Sequence, residues 1–363
     1  MYVKEIELVN FRNYKKLKVS FNERVNIFLG SNAQGKTNLL EGIYLNAIGK
    51  SFKTLRDKEL IKFDEDICRI KTTYVSDDEE HVNEIVISGD GKKAIKTDGI
   101  KISRSSELLD RIYIIVFSPE DLKIVKDEPE KRRRFIDREL CLISPGYFND
   151  LNNYRKSLKQ RNAYLKENEI ENQILDIWDY EIASHGSRII KKRKEFIEKI
   201  NEISQDIHHK ITGGLEDLHV KYEPNVYEED ELKEKFIEIL KNSREDDIRN
   251  RTTGKGPHKD DIKISADGID LRKYGSQGQQ RTAALSLKLS EIRLIENEIG
   301  QKPVLLLDDV LSELDNDRQK YLINSLGNNQ MFITTTDIIG TVAKSLPEGR
   351  IFKISGGKIE LEI

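Results

Sequence analysis

Gly30-Ser31-Asn32-Ala33-Gln34-Gly35-Lys36-Thr37 has the spacing G-x-x-x-x-G-K-[ST], the phosphate-binding P-loop. Each residue type answers a physical need. Gly30 and Gly35 permit backbone angles that a Cβ obstructs. Successive N–H groups of the loop, through Ser31, Asn32, Ala33 and Gln34, can then turn inward as a nest for phosphate oxygens. Lys36 reaches the β- and γ-phosphates, and the Thr37 hydroxyl is a ligand for Mg²⁺. The flanks agree. Arg24-Val25-Asn26-Ile27-Phe28-Leu29 reads as a strand running into the loop, and Leu39, Leu40, Ile43 and Ala47 recur at helical spacing after it. Strand, loop and helix put the phosphates at a helix N-terminus. A chance match in a chain this long arises roughly 1% of the time, and the strand and helix lower that.

The bulk numbers bound the rest. A chain of 363 residues allows one large or two ordinary domains. Charged residues are 34%, against about 25% in an ordinary chain, yet the net charge is only -3. A globally basic protein is excluded, so any nucleic-acid contact must come from local patches. Cys68 and Cys141 are the only cysteines, which make neither a disulfide framework nor a zinc site. The chain opens without an apolar signal region. Its longest unbroken apolar run, Ile112–Phe117, is far too short to span a bilayer. The expectation is a soluble, cytoplasmic protein with no membrane partner.

Around the loop, residues 1–29 read as two or three strands with a polar turn, Phe11-Arg12-Asn13-Tyr14, that comes close to the P-loop if the first strands pair. A basic loop, Gly49-Lys50-Ser51-Phe52-Lys53-Thr54, follows the P-loop helix, and residues 67–102 read as a β-meander. From about 120 to 250 glycine and proline thin out and helix is expected throughout. Ile189, Phe196, Ile200, Ile203, Ile207 and Ile211 come close to a heptad seam. With a partial stripe at Leu151, Tyr154, Leu158 and Leu165, they suggest a short antiparallel helical arm or a bundle packing on itself. A turn-rich break at Thr253–Asp261 and a hairpin about Ala266-Asp267-Gly268 lead to Tyr274-Gly275-Ser276-Gln277-Gly278-Gln279-Gln280-Arg281 and a helix. The chain closes with a strand at Met331–Thr334 and a hairpin about Gly356-Gly357.

A P-loop needs a second carboxylate at the end of a neighbouring strand. Pro303-Val304-Leu305-Leu306-Leu307-Asp308-Asp309 is that pattern, a wholly apolar strand ending in two acids. Asp308 is the candidate metal-site residue beside Thr37. Asp309, which can orient or deprotonate an attacking water, is the candidate catalytic carboxylate with Lys36. The two halves, Thr37 and Asp308, stand 271 positions apart, so a large insertion splits the nucleotide-binding lobe between the two ends: 1–120 plus 296–363, with 121–295 as the helical lobe. Ser276, Gln277, Gly278 and Gln279 open a helix. A hydroxyl, a close backbone approach and a helix N-terminus of about +0.5 charge make a second phosphate-binding surface. One γ-phosphate meets both surfaces only if two copies of the chain lie head-to-tail. Alone, S-x-G-Q is an ordinary helix cap.

Shortly before the Val304–Asp308 strand, that turn resembles the signature motif of ABC-type ATPases, and Ser312-Glu313-Leu314-Asp315 resembles their D-loop. The match narrows to the RecF family, with its ABC/SMC-type head. The residues that carry it are Phe11-Arg12-Asn13-Tyr14, the P-loop, residues 49–54, Arg132-Arg133-Arg134-Phe135-Ile136-Asp137, Lys159-Gln160-Arg161-Asn162, Gly256-Pro257-His258-Lys259-Asp260-Asp261 and Ser276–Thr282. The resemblance implies an α/β, ABC-type P-loop ATPase head with a mixed sheet, a helical second lobe and a short antiparallel arm. It implies a cytoplasmic, DNA-binding ATPase of recombinational repair and replication that uses ATP and Mg²⁺, dimerises on ATP, and works with RecR and RecO in loading recombinase at gaps. Arg12 and Asn13 stand where the family's N-terminal turn contacts nucleotide. Ser276 and Gln277 would meet the γ-phosphate of the opposite subunit.

The chain departs from the wider ABC pattern. Asp309 replaces a glutamate, Thr334-Thr335-Thr336-Asp337 stands where a switch histidine is common, and the Q-loop candidate Ser118-Pro119-Glu120-Asp121 has no Gln. The first two departures suit slow hydrolysis. Lys131–Arg134 and the cluster Arg188, Lys191, Lys192, Arg193, Lys194 could grip DNA phosphates or be solvated helix faces. His258, alone beside Gly-Pro, reads as structural. No N-K-x-D guanine motif is present, which favours ATP over GTP. The competing reading is a P-loop phosphotransferase acting on a small molecule, with the helical insert as lid.

Overall fold

The computed structural model describes residues 1–362 apart from 55, 104, 109–110, 228–229 and 337–347; Asp337 of the Thr334–Asp337 stretch lies outside the described residues. The loop strand, Val25–Leu29, is third in a six-stranded sheet. The order is Lys358–Glu362, Gly349–Ser355, Val25–Leu29, Met331–Thr335, Val304–Asp308, Ile114–Phe117. All neighbours are parallel except the C-terminal hairpin. Val304–Asp308 and Ile114–Phe117 are buried at every position, as strands covered on both faces must be. Met331–Thr335 stands between the two chemistry-bearing strands, with Thr334 opposite both Phe28 and Asp308.

A second, antiparallel sheet runs Tyr14–Ser20, Tyr2–Phe11, Ile67–Ser76, Glu79–Ser88, Lys93–Thr97, Ile100–Ile102. The P-loop helix, Lys36–Ile48, has no polar face: ten of its thirteen residues are buried, the mark of a helix covered on all sides. One hydrophobic cluster takes Ile6, Leu8 and Ile70 from the antiparallel sheet, Leu39 and Ile43 from the helix, and Phe28, Leu306 and Phe332 from the mixed sheet. Gly49 in the left-handed conformation ends the helix, its N–H donating to the Leu45 carbonyl. These parts make one compact unit, Met1–Leu122 with Ile295–Ile363.

Lys123–Leu294 make the second unit. Two of its helices, Pro145–Tyr164 and the 41-residue Asn172–Thr212, run antiparallel, since Asp150 meets Arg188 and Arg161 meets Asp179. Ser144 caps the first, accepting the Tyr147 N–H, with Pro145 at the first helical position. Ile189, Phe196, Ile200 and Ile207 are buried along one side of the long helix. The expectation of helix throughout 120–250 is corrected at one place. Leu218–Glu223 is a strand, the outer member of a three-stranded sheet with Asp261–Ala266 and Ile269–Asp270. Leu218, Val220 and Tyr222 are buried and the residues between them exposed, a period-two pattern that competes with the surrounding helical one.

The basic runs are corrected as well. Arg132 is 2% exposed and pairs with both carboxylate oxygens of Asp261, at 2.6 and 2.8 Å. Arg193, equally buried, donates to Asp137 Oδ1 and Asp260 Oδ2, each at 2.8 Å, and to the Pro257 carbonyl at 2.6 Å. Arg161 is fully buried between Asp179 and Asp247, at 2.8 and 2.7 Å. Arg132 and Arg193 tie their helices to the Gly256–Asp261 turn, Arg161 ties its helix to Asp179 and Asp247, and none of the three can reach DNA. Lys131, Lys191 and Lys194 remain exposed, while Arg188 pairs with Asp150 and Lys192 with Glu195. His258 is structural: Nε2 donates to the Thr253 carbonyl at 2.9 Å, and Nδ1 meets the Tyr154 hydroxyl at 2.6 Å. Burial pulls its pKa down to about 4, so it is neutral at neutral pH.

Candidate nucleotide site

The loop strand delivers Gly30 against the C-terminal hairpin. A Cβ on Gly30 would lie 2.3 Å from the Ile354 carbonyl oxygen, so only glycine admits this approach. The hairpin's own turn, Gly356-Gly357, closes over the loop. The Gly356 N–H donates to Gln34 Oε1 at 2.7 Å and the Gly357 N–H to the Gln34 carbonyl at 3.0 Å. Ala33 and Gly35 have φ of 63° and 114°, the left-handed turns that aim successive N–H groups inward.

The sequence expectation that the N-terminal turn lies close by describes what is found. Phe11 pairs with Tyr14 across the first hairpin. Asn13 Nδ2 donates to the Gln34 carbonyl at 3.0 Å, Asn38 Nδ2 to Asn13 Oδ1 at 2.9 Å, and the Tyr14 hydroxyl to the Gly35 carbonyl at 2.9 Å. Arg12 is held beside it by Glu41, a fully buried acid on the P-loop helix. Nε and Nη2 donate to its two oxygens at 2.8 and 2.7 Å, and Nη1 donates to the Glu59 carbonyl at 2.7 Å.

Lys36 is 7% exposed, and its ammonium donates to the carbonyls of Gly30 and Ser31. Burial holds its pKa below that of an ordinary lysine, with Asp309 and Asp308 opposing. The Thr37 hydroxyl donates to Asp308 Oδ1 at 2.7 Å. Thr334 joins the same node, donating to Asp308 Oδ1 at 2.9 Å and accepting the Asp309 N–H at 2.9 Å. Thr334, the first residue of the Thr334–Asp337 stretch, therefore bridges the Asp308 side chain and the Asp309 backbone. Asp309 sits at φ 53°, a conformation that costs a non-glycine residue about 1–2 kcal/mol. Its Oδ1 is buried without a hydrogen-bond partner. Burial raises its pKa, with Asp308 adding and Lys36 opposing.

Residues 32–38 with Lys53, Asp309 and Thr334 line a cleft of about 230 Å³. Beside it lies a cavity of about 500 Å³ lined by Arg12, Asn13, Lys62 and Phe63 among others; Asn38 and Lys53 border both. Phe63 is 87% exposed. Sequence reasoning singled out neither Asn38 nor Glu41, and treated Lys53 only as part of a basic loop. A charge count carries no signal for a buried acid that orders two cationic segments.

Around the cleft, Ser312 Oγ donates to the Asp309 carbonyl at 2.7 Å, and Asp315 caps helix Asn316–Leu326. In Ser118–Asp121, the Ser118 N–H and hydroxyl both donate to Asp121 Oδ2, at 2.8 and 2.9 Å. In the second unit, Ser276, Gln277 and Gly278 are exposed at the start of helix Gln277–Ile299. Ser276 and Gln279 cap each other there.

The model of the RecF/RecN/SMC N-terminal domain matches residues 2–344. A DNA replication and repair protein RecF from Agathobacter rectalis is 46% identical over 364 residues, covering 99% of each chain. The chain belongs to the RecF family. Within the RecF family, a solved structure of the recombination mediator protein RecF with ATP, in the RecFOR pathway, has a TM-score of 0.91 at 40% identity. It covers 100% of this chain and 97% of that one. An Smc head bound to the C-winged helix domain of ScpA shares the fold alone, with a TM-score of 0.59 at 16% identity over 100% and 98% of the chains. The ABC/SMC-type head is thus the fold of this RecF-family chain. Among the described residues no helix is long and apolar enough to cross a membrane.

Proposed function

We propose that this chain is an ATP-switched DNA-repair protein, a weak, DNA-stimulated cytoplasmic ATPase. Two copies close head-to-tail on single-stranded or gapped DNA, and the dimer acts with RecR and RecO in loading recombinase. One observation carries the reading: Thr37 Oγ1 and Asp308 Oδ1 lie 2.7 Å apart at the loop, with the partnerless Asp309 oxygen beside them. Two hard oxygens, with no third acid or histidine clustered among the described residues, suit Mg²⁺ whose shell is completed by phosphate and water. Such a site assembles only with a bound nucleoside triphosphate. Mg²⁺ there would neutralise charge on the β- and γ-phosphates.

The chain's own groups do the rest. Gly30 to Gly35 present N–H donors, and Lys36 exchanges its loop carbonyls for phosphate oxygens. The N-terminal turn at Arg12 and Asn13, with Lys53, lines the nucleoside side, where Phe63 offers a face to the base. Asp309 accepts a proton from, or orients, the attacking water. Its raised pKa suits that task at neutral pH, and its shortness by one methylene suits slow turnover. Ser276 and the N–H groups of the helix it caps would grip the γ-phosphate held by the other copy, so that nucleotide joins the two heads.

Ser276→Arg tests this. The variant should bind ATP as the wild type does but lose ATP-driven dimerisation in light scattering. Normal dimerisation would remove the head-to-tail reading. ATP consumption that depends on a metabolite and ignores DNA would favour a phosphotransferase instead.

A further inference from the structure

The turn Ser276–Gln279 is held by a chain of hydrogen bonds that reaches the end of the long helix. The Gln279 N–H donates to Ser276 Oγ at 3.2 Å, and the Ser276 N–H donates to Gln279 Oε1 at 3.0 Å, a reciprocal cap. The other arm of the Gln279 amide is also engaged, Nε2 donating to Glu216 Oε1 at 3.0 Å. Glu216 Oε2 lies 3.2 Å from His208 Nε2, and His208 Nδ1 lies 3.1 Å from Ser286 Oγ. Ser286, further along the capped helix, donates its hydroxyl hydrogen to the Thr282 carbonyl at 2.9 Å. The ring closes on the helix where it began.

A carboxylate only accepts, so His208 Nε2 donates to Glu216 while the other oxygen of Glu216 accepts from the Gln279 amide. His208 is fully buried on helix Asn172–Thr212. Gly213 and Gly214, at φ 64° and 80°, turn the chain after that helix so that Glu216 comes back over it. An ordinary helix cap needs two partners. Here a third, anchored by a buried histidine, also fixes which way the Gln279 amide faces. With Nε2 turned to Glu216, Oε1 must face the Ser276 N–H. Ser276 Oγ then accepts from the Gln279 N–H and keeps its own hydrogen for an outside acceptor. A flipped amide would set its NH₂ against the Ser276 N–H and release the turn.

We infer that Glu216 is a positioning residue for the γ-phosphate surface at Ser276–Gln279: it orients the Gln279 amide, and through it the Ser276 hydroxyl, toward nucleotide held by a second copy of this chain. The inference rests on the head-to-tail reading above.

Glu216→Asp and Glu216→Gln in the full-length chain, compared with Ser276→Arg, test it. Asp keeps the charge but shortens the reach by one methylene. Gln keeps the reach, with an oxygen for Gln279 and an NH₂ that His208 Nε2 accepts in its other neutral tautomer. Both Glu216 variants, as dilute monomers, should bind fluorescent MANT-ATP as the wild-type monomer does, since the P-loop is untouched. Light scattering should show ATP-driven dimerisation about tenfold weaker in Glu216→Asp, the worth of one ordinary hydrogen bond, and within about threefold of wild type in Glu216→Gln. Wild-type dimerisation by Glu216→Asp while Ser276→Arg fails would overturn this inference alone. Equal losses in the Asp and Gln variants would also overturn it, because charge rather than amide orientation would then be responsible. Dimerisation by Ser276→Arg would instead remove the reading on which it rests.

Discussion

Replacing Arg193 by Met separates a core arginine from a nucleic-acid grip. The Arg193 side chain is 3% exposed. Methionine fills a similar path without donors, leaving Asp137 and Asp260 without their shared cation. Neither acid is abandoned. Asp137 keeps Arg155 at 3.0 Å and the Tyr147 hydroxyl, and Asp260 keeps the Tyr222 hydroxyl and the Asn225 N–H at 2.8 Å. Removing one partner of a buried pair costs about 3–5 kcal/mol, and the remaining partners put this case near the lower end. Trp178, the only tryptophan, lies on the same helix, so its fluorescence in urea reports on this unit. At a slope of about 2 kcal/mol/M, a loss of about 3 kcal/mol lowers the midpoint by about 1.5 M. The pH dependence has a definite sign. Burial raises the folded-state pKa of Asp260 even with Arg193 opposing. A raised acid adds stability below its unfolded pKa and loses it as pH rises through the folded value. Without Arg193 the folded value climbs further, so the deficit of the variant should grow as pH rises through the folded-state value of Asp260. The salt dependence of DNA binding should not change, because a lost phosphate contact lowers the slope by about 0.9. A midpoint within about 0.3 M of wild type, with the salt slope lowered by one contact, would refute the reasoning.

Two further outcomes follow from the nucleotide site. Asp309→Asn should slow ATP turnover by about 10²–10⁴-fold and let an ATP-bound dimer accumulate in sedimentation; unchanged turnover would remove Asp309 as the catalytic carboxylate. Gly30→Ala drives a Cβ to 2.3 Å from the Ile354 carbonyl, so titration with fluorescent ATP should show binding weakened at least tenfold, about 1.4 kcal/mol. Wild-type affinity would mean that the C-terminal hairpin yields to the loop.

Much of the candidate site was legible in the chain because its parts are contiguous. Gly30 to Thr37, Val304 to Asp309 and Ser276 to Gln279 each carry their chemistry within a few residues, and strand or helix patterns flank them. What those strings could not state is how they meet. Thr334 joins Asp308 to the backbone of Asp309 because its strand lies between two others in the sheet. Glu41 reads as one more charge on an amphiphilic stretch until the helix is found covered on every side. The strand Leu218–Glu223 was lost among helices because six alternating residues are a weak signal beside a 41-residue helical run.

By itself the sequence determined that a P-loop, a carboxylate-ended strand and an S-x-G-Q turn opening a helix stand on one split chain. Those are local matters of backbone freedom and side-chain chemistry. Only the tertiary structure decided the fate of the charges. Arg132 and Arg193 stand in runs that look like a basic surface in one dimension. In three they are core, because Asp261, Asp137 and Asp260 arrive from distant segments to meet them. A charge leaves water only when its partner is already in place, and where the partner lies is a property of the fold.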